Sequence, residues 1–484
     1  MSRMPHPLEI ILGARSVAFV GASNNPMTMG TIQMLNTLKS HYRGPVIPVH
    51  PKEATVLGQK AYPSLRDLPE PVDLAVLVVP TRVVLDVVQD AIARGIQHLV
   101  ITTAGFRETG TEGRALEAEL LHLAAEGGVR FVGPNCIGVL NAESGLNTTF
   151  FPYRHASGPL GLASQSGTYV TQVIDLLSRW GIGLSRAVSV GNAANIDLAD
   201  CLDYFADDEE TRAVSLYVEG VRDGRRFMQA AARCTARKPV VALYVGGTEA
   251  GARSGASHTG ALAGPDALYD GLFRQAGIIR ARTVADLYQW GWALATQPVP
   301  RGGRVAILTH SGGPATSMAD AACRAGLDLR PFPESLSERI RALIPQTGSA
   351  ENPVDLTFNM DPRLLNQTLP ELILACEQID GLLMHGLQGS SFFQGMKDFA
   401  GELVPIEVEQ LTSYTSHMAK PLFDMAERTG KPIVMSSFYD RSDNVVRALQ
   451  DHRVPVFDTP EHAVRAMAAL VRYGRHRQQR ALET

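Results

Sequence analysis

The sequence predicts an α/β protein built on buried parallel sheets. Three observations carry that prediction. Short β-branched runs recur between helical patterns along the chain, these runs are apolar throughout, as in strands covered on both faces, and the whole series occurs three times. The 484 residues exceed what one hydrophobic core serves.

The first series contains SVAFVG (Ser16–Gly21), PVIPV (Pro45–Val49), DLAVLVV (Asp73–Val79) and HLVITT (His98–Thr103), and closes near FVGPN (Phe131–Asn135). The second begins at PLGLAS (Pro159–Ser164) and continues through RAVSV, AVSLYVEG and PVVALYV to GIIRA (Gly277–Ala281). The third runs from RVAILTHSGG (Arg304–Gly313) through DGLLMHG and KPIVMSS to VPVFD. GIIRARTVADLYQWGWALA and VPVFDTPEHAVRAMAALVRY share one pattern: a last strand, a threonine cap and an amphipathic closing helix. With Gln297–Gly303 as a Pro- and Gly-containing linker and a softer boundary near residue 155, the expected domains are 1–153, 154–298 and 299–484.

Composition narrows the functional class. A 45% hydrophobic, 19% charged chain with 44 glycines is soluble globular material, and a net charge of -4 without charge blocks gives no broad nucleic-acid surface. Cys136, Cys201, Cys234, Cys323 and Cys376 form no CxxC pair, so neither a disulfide framework nor a metal site is expected, and a reducing cytoplasm suits them. Neither a signal peptide nor a membrane-spanning run is evident.

Chemistry is suggested by small residues where strands end. VAFVGASNNPMTMG carries a strand into Gly21, Ala22 and Ser23 before a helix, and the amides of a helix start suit a phosphate. The strict GxGxxG fingerprint is incomplete there, which weakens an NAD(P)-dependent oxidoreductase reading. ASQSGTYV places Ser166, Gly167 and Thr168 in the same position, and LTHSGGPATS does so with Ser311, Gly312 and Gly313. Each is equally an ordinary cap. GGTEAGARSGASHTGALAGPDA (Gly246–Ala267) reads as an extended loop with His258 at its centre, and Glu219 of LYVEG is a candidate carboxylate to orient that imidazole. Alone, His258 is also an unexceptional exposed histidine.

Together, VGAS, GPNCIGVLN, SQSGTY, GNAANID, YVEG, EAGARSGASHTGALAG, SGGP and ENPVDL resemble the α subunit, or CoA-binding half, of ADP-forming acetate–CoA ligases, relatives of succinyl-CoA synthetase. The resemblance covers nearly the full length. It implies an N-terminal Rossmann-like CoA-binding domain followed by two flavodoxin-like ligase domains. It places CoA against Gly21, Ala22 and Ser23, with Pro51, Lys52, Val79 and Pro80 along its nucleotide and Asn135 and Cys136 near its thiol; Cys136 is equally a small buried residue.

The resemblance further implies that His258 carries a phosphoryl group between an acyl phosphate and ADP, steadied by Glu219. Ser166, Gly167 and Thr168 would receive the phosphohistidine near CoA, and Ser311, Gly312 and Gly313 near the nucleotide. The ATP-grasp domain that binds ATP or ADP with Mg2+ has no place among the three series, so a separate β subunit and an α2β2 assembly are expected. A CoA-sensing scaffold without catalysis is the alternative. Two departures stand out: Tyr244 and Gly247 occupy a stretch where the family has cations, and THSGGPA brings His310 and Ala315 into the third-series motif. No motif specifies the acid, or ADP over GDP.

Overall fold

A computed structural model describes residues 5–150, 156–259, 264–359, 361–386, 389–403, 405 and 407–483, with the side chains of 256–259 and 483 outside the described set. The expected parallel sheets are present. The first contains β1 (Val17–Val20), β2 (Val46–Val49), β5 (Leu74–Leu77), β6 (His98–Ile101) and β7 (Arg130–Val132), ordered β2-β1-β5-β6-β7, while β3 (Thr55–Val56) and β4 (Gln59–Lys60) form a small hairpin. Val17, Ala18, Phe19 and Val20 are all buried: Val17 and Phe19 enter one core and Ala18 and Val20 another. Burial on both faces explains the uninterrupted apolar run.

The second sheet is ordered β14-β13-β12-β10-β11-β8-β9. Its parallel part comprises β10 (Ser157–Ser164), β11 (Leu184–Ser189), β12 (Ala213–Val218), β13 (Val240–Tyr244) and β14 (Ile279–Ala281). The antiparallel strands β8 (Val139–Asn141) and β9 (Leu146–Asn147) extend it through β11. Residues following the first sheet therefore complete the second, and one apolar cluster holds Phe19 and Leu74 of the first sheet with Val188 and Leu216 of the second. These two sheets form one compact unit, 1–176 with 183–282.

The other unit comprises 177–182 and 283–484. Its sheet contains β15 (Val305–Thr309), β16 (Val354–Asp355), β17 (Gly381–His385), β18 (Ile433–Ser436) and β19 (Val456–Phe457), all parallel and ordered β16-β15-β17-β18-β19. Helix Val284–Thr296 packs against helix Pro460–Glu483 in this unit. Both caps read from the sequence are formed: Thr283 Oγ1 accepts from the Asp286 amide at 3.0 Å, and Thr459 Oγ1 from the His462 amide at 3.3 Å. No helix among the described residues is long and apolar enough to cross a membrane.

The turn after β1 requires glycine twice over. Gly21 has φ +99°, and a Cβ there would lie 2.2 Å from the Val78 carbonyl oxygen. Gly21→Ala is expected to cost about 1–3 kcal/mol, read as a lowered denaturant midpoint at unchanged slope; an unchanged midpoint would contradict the tight turn.

Candidate functional site

In each sheet the first parallel strand lies between the second and third, the flavodoxin order 2-1-3-4-5. Connections then leave the first and third strands on opposite faces, opening a crevice at their carboxyl ends. Several of the expected site residues follow these strands, whereas Pro51 and Lys52 follow β2, Asn135 and Cys136 follow β7, and His258 is on helix Glu249–Thr259. Gly21–Ser23 follow β1 and Val79–Pro80 follow β5; Ser166–Thr168 follow β10 and Glu219 follows β12; Ser311–Gly313 follow β15. The counterpart at the end of β17 is His385, which sequence reasoning passed over inside an apolar run.

At the first crevice, the Ser23 amide donates to Thr31 Oγ1 at 3.0 Å and that hydroxyl donates to the Ser23 carbonyl at 2.8 Å, so helix Met29–Lys39 holds the turn. The amides of Lys52 and Glu53 both donate to His50 Nδ1, at 3.3 and 3.0 Å, which leaves Pro51 and Lys52 exposed. A cavity of about 430 Å³ gathers Val79, Asn135, Cys136, Ser166, Gly167 and Thr168. Its lining does not include Gly21, Ala22, Ser23, Pro51, Lys52 or Pro80. Asn135, at φ +56°, donates through Nδ2 to Asn192 Oδ1 at 3.2 Å. The Cys136 thiol is turned into the core, donating to the Ile101 carbonyl at 3.3 Å, and burial pushes its pKa up to about 12. It is a thiol, not a thiolate nucleophile.

At the second crevice, Ser164 Oγ donates to the Ser166 carbonyl at 2.6 Å and accepts the Ser166 amide at 3.1 Å. A Cβ on Gly167 would lie 1.9 Å from Ile137 Cγ1, so only glycine fits. The expected helix start is shorter than the sequence suggested: Thr168–Thr171 is a single turn before helix Ile174–Arg179. The first intrahelical bond runs from the Val170 amide to the Gly167 carbonyl, which leaves the Gly167 and Thr168 amides ahead of the ladder.

Gln165, a spacer in the sequence motif, joins the two strand ends. Its Oε1 accepts the amides of Glu219 at 2.6 Å and Gly220 at 3.1 Å, and its Nε2 donates to the Gly220 carbonyl at 3.0 Å. The Glu219 backbone is thereby fixed, and the residue is 5% exposed, beside the stacked rings of Tyr169 and Tyr217. Burial, then the Glu219 carboxylate and Tyr169, push the Tyr217 hydroxyl well above its ordinary range.

The segment around His258 corrects the sequence reading. Glu249–Thr259 is a helix, not an extended loop. Glu249 favours the first turn, the Gly251 amide donates to Thr248 Oγ1 at 3.1 Å, and Arg253 pairs with Glu249 one turn back at 2.6 Å. Its alanines support a helix but carry no apolar stripe to reveal one. The His258 side chain lies outside the described residues. Farther on, Tyr244 supplies an anchor where the cations are missing: its hydroxyl donates to the Gly264 carbonyl at 2.7 Å, accepts the Gly264 amide at 3.0 Å, and its ring stacks on Tyr269 at 3.5 Å. A Cβ on Gly247 would lie 2.3 Å from Asp266 Oδ1, so a larger residue would displace that carboxylate.

The third crevice repeats the serine device. Thr309 Oγ1 donates to the Ser311 carbonyl at 2.9 Å, as Ser164 does to Ser166. Ser311 stands ahead of helix Gly312–Arg324 with no side-chain cap bond, and the space beside Gly313 is open. His310 and His385 stack with centroids 5.9 Å apart, and His385 Nδ1 bonds Ser436 Oγ at 2.8 Å. Burial, reinforced by His310, lowers the His385 pKa to about 4. Burial also lowers that of His310, against smaller opposing effects of the His385 backbone and Asp355. Among the described residues no cluster of three His, Cys, Asp or Glu side chains is placed to hold a metal.

Residues 15–142 match the family described as CoA binding domain, 157–294 the succinyl-CoA ligase like flavodoxin domain, and 305–389 the ligase-CoA domain. The α subunit of acetate–CoA ligase (ADP-forming) II from Pyrococcus furiosus is 35% identical over 97% of this chain and 98% of its own. The chain belongs to the ADP-forming acetate–CoA ligase α-subunit family. Members also occur within longer chains: the Archaeoglobus fulgidus acetate–CoA ligase (ADP-forming) I is 34% identical over 97% of this chain but 64% of its own. A solved structure of the Ca. Korarchaeum cryptofilum dinucleotide forming acetyl-coenzyme A synthetase 1, in complex with phosphate and ADP, superposes with TM-score 0.86 at 33% identity over 98% of both chains.

For this family member, Tyr244→Phe removes both bonds to Gly264. It is expected to cost about 1–2 kcal/mol and to speed hydrogen exchange at the Gly264 amide; unchanged exchange would remove Tyr244 as the anchor. The histidine pair gives a pH signature. A histidine whose folded pKa is depressed adds stability above its unfolded pKa near 6.5 and loses it as pH falls toward about 4. Urea titrations from pH 7 to 4 should show a stability loss larger than that of His385→Gln by on the order of 3 kcal/mol; equal losses in both proteins would contradict it.

Proposed function

We propose that the chain is the CoA-binding α subunit of a cytoplasmic nucleoside-diphosphate-forming acyl-CoA synthetase. It interconverts carboxylic acid, CoA and ATP with acyl-CoA, ADP and phosphate through an acyl phosphate and a phosphohistidine on His258. The observation that carries this reading is the Gln165 amide fixing Glu219 beside Ser166–Thr168, at the edge of a cavity reaching Val79 and Asn135. Family membership along the whole length supports it.

In this reading the CoA nucleotide lies along Gly21–Ser23, with Lys52 and Pro80 at its rim, and the thiol end enters the cavity by Asn135. Gly21 lets the backbone turn at φ +99° against the Val78 carbonyl, which carries the chain from β1 into Ala22 and Ser23. A phosphate oxygen attacks the thioester carbonyl carbon, the C–S bond breaks, and the thiolate leaves and takes a proton. A His258 ring nitrogen then attacks phosphorus, and the P–O bond to the acyl group breaks to release the carboxylate. Glu219 holds the proton on the other ring nitrogen, and the amides of Gly167 and Thr168 stabilise the phosphoryl oxygens. Ser311–Gly313 form the second phosphoryl station.

ATP or ADP with Mg2+ binds a separate ATP-grasp β subunit, giving α2β2. The full-length match to relatives named α subunits supports this division. In this reading the residues assigned to the first half-reaction all belong to this chain.

The test incubates the purified chain with acyl-CoA thioesters and labelled phosphate. Acid-labile, base-stable label should appear on the wild type, be absent from His258→Asn, and form roughly a hundredfold more slowly in Glu219→Gln. Equal labelling of the wild type and His258→Asn would overturn the proposal.

A further inference from the structure

A second cavity, of about 300 Å³, opens at the same edge of the second sheet. Gln165, whose side chain bonds the Glu219 backbone, lines both this cavity and the one that reaches Ser166–Thr168. Leu198, Ala199, Val221 and Phe227 give it apolar lining, and Arg107, Asp197 and Arg222 add charged groups. Helix Glu249–Thr259 packs against the 3-10 turn Arg107–Thr109 that carries the first of these arginines. The helix that bears His258 is thereby brought against the turn that carries one lining residue of this cavity.

We infer that this cavity is the acyl-chain subsite, and that it takes monocarboxylic acids longer than acetate whose far end carries a neutral hydrogen-bond acceptor. The inference rests on the acyl-CoA synthetase reading above and adds the class of acid. Volume sets the length. At a water's share of roughly 30 Å³ per small group, the space holds about ten such groups, and an acetyl methyl would leave most of the apolar wall without contact.

Charge sets the nature of the far end. Arg107 Nη1 and Arg222 Nη2 lie 3.5 and 3.4 Å from Glu117 Oε1. Asn192 Nδ2 donates to Glu117 and also to Glu108, which adds a second carboxylate. Asp197, on the cavity wall, is paired with Arg226 at 3.0 Å. Arg107 and Arg222 thus share Glu117, and Glu108 also acts on Arg107, so their charge is already opposed and a second carboxylate on the substrate would be buried without a cation of its own. The half-exposed Arg222 donates to the Asn192 carbonyl at 2.8 Å. Its guanidinium presents five N–H groups, so a hydroxyl or carbonyl oxygen can be accommodated.

The test measures single-turnover CoA release by the full chain, with phosphate, from acetyl-, butyryl-, 4-hydroxybutyryl- and succinyl-CoA. The wild type should favour the two four-carbon monoacids over acetyl-CoA by about tenfold or more, and 4-hydroxybutyryl- over succinyl-CoA by a similar factor. Ala199→Leu, which fills the cavity, should lower the butyryl-to-acetyl ratio about tenfold. Arg222→Gln, at a half-exposed position, should erase the advantage of 4-hydroxybutyryl- over butyryl-CoA. Unchanged ratios in both variants, or a wild-type preference for acetyl- or succinyl-CoA, would overturn the assignment. No CoA release from any thioester would instead overturn the parent reading, and this one with it.

Discussion

A parallel sheet whose first and third strands send their connections to opposite faces must leave a crevice between the carboxyl ends of those strands, and this chain places its reactive and small residues around three such crevices. The backbone at each must turn sharply while keeping its polar groups satisfied. Ser164 and Thr309 meet that need alike, each hydroxyl donating to the carbonyl two residues ahead. Gly21 and Gly167 meet it by omission, since a side chain at either would occupy neighbouring atoms. Gln165 adds what hydroxyls and glycines cannot: three hydrogen bonds across the crevice that fix Glu219 relative to Ser166.

A buried polar network accompanies this arrangement in the first unit. Glu117, only 5% exposed, draws together Arg107, Asn192 and Arg222, which come from segments following β6, β11 and β12. Desolvation raises the Glu117 pKa, and the Asn192 amide and Arg107 oppose it. Removing Arg107, the buried cation of the set, leaves the Glu117 carboxylate with only the half-exposed Arg222 and costs on the order of 3 kcal/mol. Together with the shared apolar cluster, the network accounts for the first two sheets forming one compact unit.

The strands and the crevice residues were legible because both signals are local. A strand buried on both faces must be apolar throughout, and a strand-to-helix turn must be small. What escaped the sequence depends on partners distant along the chain. Gln165 is a polar residue between two serines until Glu219 and Gly220 are brought beside it. His385 ends an apolar strand, and its neighbour His310 lies 75 positions earlier. β8 and β9 follow the first sheet in sequence but pair into the second. Helix Glu249–Thr259 was missed for the opposite reason. Its alanines, glycines and serines carry no apolar period, so propensity and an exposed ion pair were the only clues.

The central claim is that this chain passes an acyl group from CoA to phosphate at the second crevice. Fully 18O-labelled phosphate tests it most directly. If the acyl phosphate forms and then yields its phosphoryl group to an imidazole, the bond that breaks lies between phosphorus and the bridging oxygen. The carboxylic acid released from acyl-CoA should therefore retain one 18O by mass spectrometry. An acid carrying only solvent oxygen would mean that water, not phosphate, attacked the thioester, and would contradict the account.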